Sequence, residues 1–150
     1  MKIQPRLLNF ALPIGISIAC LSGCATSTYK GLGTEALPVA SLAVLENNDH
    51  MKTNIIEVDG RHRGNGFFNR YELTPGSHTL KIDLYVGIGA RGTPPTIRFD
   101  VAAGETYELR YMAKVVEFGY PSTTYQWRPQ IVNKRTGVEI PTQLVPVASR

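Results

Sequence analysis

From Pro38 onward the apolar positions recur every second residue. Leu80, Ile82, Leu84 and Val86 alternate with Lys81, Asp83 and Tyr85. Ile97, Phe99 and Val101 alternate with Arg98 and Asp100, and Tyr107, Leu109 and Tyr111 alternate with Glu108 and Arg110. A period of two turns one face of each segment inward as a half-buried strand; the 3.6-residue stripe of an amphipathic helix is missing from this part of the chain. The pattern predicts strands over 39–46, 53–58, 67–73, 78–86, 96–101, 105–116, 125–133 and 138–145. Seven or eight short, mostly antiparallel strands with one apolar face each imply an all-β fold, a single β-sandwich.

Turn residues punctuate the strands. A two-residue Gly76-Ser77 loop would form a hairpin with Leu73 opposite Leu80, Tyr71 opposite Ile82, Glu72 opposite Lys81 and Arg70 opposite Asp83. Opposed charges stabilise a cross-strand pair by roughly 0.2–1 kcal/mol, which favours this register over one that faces Arg70 with Lys81. By the same reasoning an Ala102-Ala103-Gly104 loop, with Gly104 left-handed, sets Arg98 opposite Glu108 and Phe99 opposite Tyr107. Asn133-Lys134-Arg135-Thr136-Gly137 reads as a further turn between Ile131 and Val138. Pro94-Pro95 precedes a strand, where proline is tolerated, and Pro129 marks an edge or a bulge.

The first 23 residues have a different character. Lys2 and Arg6 precede an apolar run from Leu7 to about Ala19, broken by Asn9, Pro13 and Gly15. That run falls short of the roughly 20 residues a membrane-spanning helix needs, and Pro13 and Gly15 weaken the alternative of a buried helix. Leu21-Ser22-Gly23-Cys24 follows directly and resembles the lipobox of bacterial lipoproteins. The resemblance implies cleavage between Gly23 and Cys24 and acylation of Cys24. It also implies attachment to a membrane; Ala25, where an Asp would favour retention at the inner membrane, points to the outer membrane, facing the periplasm. Cys20 and Cys24 are the two cysteines, so processing leaves no free thiol; an uncleaved chain could instead join them in a disulfide.

The expected organisation is a signal peptide over 1–23, a lipidated cysteine with a flexible tether over 24–36, and a β-sandwich over 37–150. Removing Lys2 and Arg6 lowers the basic count from 16 to 14 against 12 acidic residues, so the net charge falls from +4 to +2. With no dense basic run or nucleic-acid motif, this balance excludes nucleic-acid binding.

Val58-Asp59-Gly60, then Leu73-Thr74-Pro75-Gly76-Ser77-His78-Thr79-Leu80, then Ala103-Gly104-Glu105-Thr106-Tyr107 resemble PEGA-like modules. The resemblance covers about residues 54–111 and implies a small sandwich, immunoglobulin- or transthyretin-like, with hairpins at the last two motifs. It is nearly silent on activity. The insertion Arg61-His62-Arg63-Gly64-Asn65-Gly66 departs from the shorter link of that family.

Chemistry is sparse. His50, His62 and His78 lack a partner at metal-ligand spacing, so no metal or cofactor is expected. A Gly-x-Ser-x-Gly setting and a cysteine nucleophile are both missing, and Asp59, Glu72 and Asp83 fit turns or solvent faces; the expectation is a non-enzymatic protein. Two groups stand out as candidate surfaces. Arg61, His62, Arg63 and Asn65, set among glycines, would bind an anionic group or form a solvated hairpin tip. Phe118, Tyr120, Tyr125 and Trp127 would be core residues or an exposed partner or glycan surface. The resulting expectation is an accessory or scaffold subunit that binds an envelope protein; the alternative is a module for an envelope glycan or a small polar or anionic ligand.

Overall fold

The computed structural model describes residues 27–85, 94–117 and 124–146. The leader, Cys24, Phe118 and Tyr120 lie outside the described residues, as does the side chain of Tyr125. The described chain is all-β, with strands β1 (Thr28–Lys30), β2 (Ala43–Glu46), β3 (Thr53–Val58), β4 (Arg61–His62), β5 (Arg70–Leu73) and β6 (Gly76–Leu84) in its first half. β7 (Thr96–Val101), β8 (Thr106–Glu117), β9 (Thr124–Asn133), β10 (Glu139–Ile140) and β11 (Gln143–Val145) complete it.

Two sheets result, one ordered β1-β5-β2-β8-β9-β10 and the other β11-β7-β6-β3-β4. Their facing side chains form one core: Leu45, Tyr71, Leu73, Tyr107, Leu109 and Ile131 from the first, Ile55, Val58, Leu80, Ile82, Ile97 and Phe99 from the second. The alternation that marked β6 and β7 puts Leu80, Ile82, Leu84, Ile97, Phe99 and Val101 inside, as expected. The strand count and pairing differ from expectation. There are eleven strands among the described residues, and two pairs are parallel, β1 with β5 and β2 with β8.

Both expected hairpins are overturned. β5 and β6 lie in different sheets, so Leu73 pairs with Ala43 and Leu80 with Val58 and Ile97. Lys81 meets Glu57 at 3.0 Å, while Glu72 stays beside Arg70 on its own strand. β7 and β8 are likewise separated; Arg98 faces Thr79 and Gln143, and Glu108 faces Glu46 and Val132. The glycines do adopt the positive φ foreseen, 125° at Gly76 and 70° at Gly104, but they serve crossings from one sheet to the other. Burying all the apolar faces against a second sheet outweighs the few tenths of a kcal/mol from matched surface charges.

The remaining turns behave locally. Asp59 and Gly60, with φ of 51° and 72°, make the two-residue turn between β3 and β4. Asn133 Oδ1 accepts from the amides of Arg135 and Thr136, closing the foreseen turn between β9 and β10. Pro129 faces Tyr111 on β8, and β10 covers only Ile131 and Val132, so Pro129 sits where β9 is the sheet edge. Val39–Ser41 is a 3-10 turn, so the strand expected from residue 39 starts at Ala43. The run 138–145 is divided at Pro141-Thr142 into β10 and β11, in opposite sheets.

Order also begins earlier than expected. Thr28–Lys30 and the 3-10 turn Thr34–Ala36 lie within the segment read as a flexible tether. Tyr29 packs on Phe68 and Tyr71 with centroids 5.9 and 5.6 Å apart, and Thr34 is buried with its hydroxyl donating to Gly31 O at 2.9 Å.

Candidate functional site

β3 carries a bulge at Ile56, where its register with β6 shifts between Ile55 and Glu57. A bulge leaves backbone carbonyls without a ladder partner. β4 is too short to supply donors, and Arg63, the residue after it, does so. The Arg63 amide donates to Ile56 O at 3.1 Å, and its Nε donates to Ile55 O. The same guanidinium donates to Gly66 O and, at 2.5 Å, to Asn54 Oδ1, and lies 5.4 Å from the centroid of Phe68. Arg63 therefore folds the glycine-rich segment 64–66 back on β3. A close turn of this kind needs the positive φ of Gly64 and Gly66, 82° and 137°.

This fold-back shapes an open groove lined by His50, Met51, Ile56, Phe67, Asp83 and Tyr85 together with the loop itself. Three of its walls are large apolar side chains left in solvent: Phe67 at 75%, Met51 at 69% and Tyr85 at 63% exposure. The backbones at Met51 and Tyr85 are pinned. Met51 rides on the turn between β2 and β3, which buried Asn47 closes by donating to Thr53 O at 2.6 Å and accepting from the Thr53 hydroxyl at 2.7 Å. The Tyr85 amide donates to Lys52 O at 2.6 Å. Neighbouring Asp49, 3.4 Å from the Lys52 ammonium, raises the pKa of that group above its ordinary value and pairs with its charge.

Of the sequence-derived candidates, Arg61, His62, Arg63 and Asn65 do share this loop, but with different roles. Arg63 is committed to carbonyl oxygens and the Phe68 ring. His62 Nδ1 accepts from the Gly64 amide at 3.1 Å. Arg61 pairs with Val58 through its backbone, and its exposed side chain makes no hydrogen bond or ion pair among the described residues. Of the aromatic candidates, Trp127 is the one whose side chain is described. Trp127 is partly buried against the core opposite Ala113, as a packing residue. Met51, Phe67 and Tyr85 escaped the sequence reading because they come from three separate segments; an unpaired Phe in a glycine-rich loop was the available signal.

His78 acts locally. It is buried with Nε2 donating to Thr74 O at 2.7 Å and Nδ1 paired with Asp59 Oδ2 at 2.8 Å. Asp59 Oδ1 also accepts from the Thr79 amide. Among the described residues no group of three or more His, Cys, Asp or Glu side chains is placed to hold a metal, and no helix is long and apolar enough to cross a membrane. The chain matches no family model, no curated protein and no solved structure.

Proposed function

We propose that the chain is an exported lipoprotein, cut before Cys24 and acylated there, whose PEGA-like sandwich serves as a non-enzymatic accessory module on the periplasmic face of the outer membrane. The observation that carries this reading is Leu21-Ser22-Gly23-Cys24 directly after a short apolar run, with the folded body starting four residues later at Thr28. Among the described residues the terminal strands β1, β4, β10 and β11 are two or three residues long, and the longer open edge, residues 124–130 of β9, carries Pro129, which has no N–H to donate to an added strand. The groove is the surface better suited to contact. A small anionic ligand is the weaker occupant, because the guanidinium best placed to bind it, that of Arg63, is taken.

A Cys24→Ala variant tests the anchor. Wild type should sediment with membranes and show a mass that starts at Cys24 with acyl chains added. The variant should lose both properties while its circular dichroism stays that of a β protein. A wild-type product with an intact leader and a free thiol would sink the reading.

A further inference from the structure

The start of β1 and the groove belong to one flank of the sandwich. β1 and β4 are edge strands of the two sheets, and the Arg63–Phe68–Tyr29 stack joins them. Ser27 O accepts from the Asn69 amide at 3.3 Å. Phe67 is two residues from Asn69, and Cys24 is three residues before Ser27. At about 3.3–3.6 Å per extended residue, three residues give the anchor a reach of roughly 10 Å from Ser27, and Phe67 lies within about 7 Å of Asn69. An acyl chain on Cys24 therefore holds Phe67 within roughly 20 Å of the headgroups, whatever the tilt of the domain.

That flank has the chemistry of an interfacial contact. Phe67, Met51 and Tyr85 are exposed together around the groove. Exposed apolar and aromatic side chains clustered in this way mark a contact surface, and a bilayer interface accepts such side chains together with their polar neighbours. Arg61 and Lys52 supply unburied positive charge, against Asp83 in the groove and Asp49 beside Lys52. The local balance is thus weakly cationic at most, and the apolar side chains provide the main attraction. The β8–β9 ribbon lies three strands from β1 in the sheet order, outside this contact.

Resting on the lipoprotein reading, we propose that this flank docks on the phospholipid surface that carries the anchor. Phe67, Met51 and Tyr85 enter the boundary between headgroups and acyl chains, and Arg61 meets the phosphates. The acyl chains and the side chains then act as two linked anchors, and the module is held in a fixed orientation instead of swinging on a tether.

The test uses the acylated protein in vesicles of phosphatidylethanolamine and phosphatidylglycerol. Processing removes Cys20 and acylation blocks Cys24, so a spin label can be placed on Asn65→Cys, or on Thr136→Cys in the exposed turn between β9 and β10 as a reference. The label at 65 should collide with oxygen several-fold more, relative to a water-soluble nickel chelate, than the label at 136. Adding Phe67→Ser, Met51→Ser and Tyr85→Ser should bring the two labels to the same ratio while the protein stays vesicle-bound. Equal ratios in the parent protein, with acylation verified by intact mass, overturn the docking and leave the anchor standing. A label at 65 that is shielded only after an envelope protein is added also overturns it, in favour of a protein partner. Failure of the anchor itself is seen separately, as a missing acyl mass.

Discussion

Tyr71 shows how one side chain ties the core to the flank. Its ring is buried among Leu45, Leu73 and Tyr29, and its hydroxyl donates to Phe68 O at 3.4 Å. Burial pushes the phenol up to about 12, with the nearby Arg63 charge pulling the other way. The folded state thus holds this proton more tightly than the unfolded chain, whose tyrosine titrates near 10. The contribution to stability is fully present below about pH 10 and is lost as the pH rises toward about 12. Urea unfolding at pH 9, 10.5 and 12 should show wild type losing about 2 kcal/mol more than Tyr71→Phe over that window. Parallel curves for the two proteins would refute it.

At the scale of elements, individual strands were legible and their partners were not. Residues 53–58 and 96–101 were bounded as observed, because alternation is a property of one segment and its buried face. Pairing is a property of two segments. Thr74-Pro75-Gly76 and Ala102-Ala103-Gly104 have the glycine and the charge pattern of tight hairpins, yet each carries the chain across the core. What marks the first crossing is His78, which bridges Thr74 O to the Asp59 turn of a different hairpin. The histidine is visible in the Pro-Gly-Ser-His string, and its reach to Asp59 needed the fold. His78→Phe keeps an aromatic volume against Phe99 but leaves Thr74 O and Asp59 Oδ2 without their ring-nitrogen partners. Because Asp59 is partly open to water, the cost should be about 1–2 kcal/mol in chemical denaturation. His78→Gln, which can still donate to one of the two, should recover part of it.

For the molecule as a whole, the boundary between tether and body matters most, because it sets the distance from anchor to groove. Small polar residues and two glycines made 25–36 read as linker; propensity carried no sign of Tyr29 docking on Phe68 and Tyr71, a contact between residues some forty apart. Gly31 continues the attachment, its amide donating to Glu72 O at 2.8 Å, where a Cβ would meet that oxygen at a tight 3.0 Å. Two shortened chains separate the readings. A protein beginning at Ser27 should unfold at the same urea concentration as the full mature domain, since the pairing of β1 with β5 is intact. One beginning at Gly31 loses that pairing and the Tyr29 ring, and should be less stable by about 2 kcal/mol. It should also uncover Tyr71, so that ultraviolet titration finds its phenol moving back from about 12 toward the ordinary tyrosine range. If both chains unfold together and titrate alike, residues 28–30 are tether after all, and the short leash that brings Phe67 to the bilayer is lost with them.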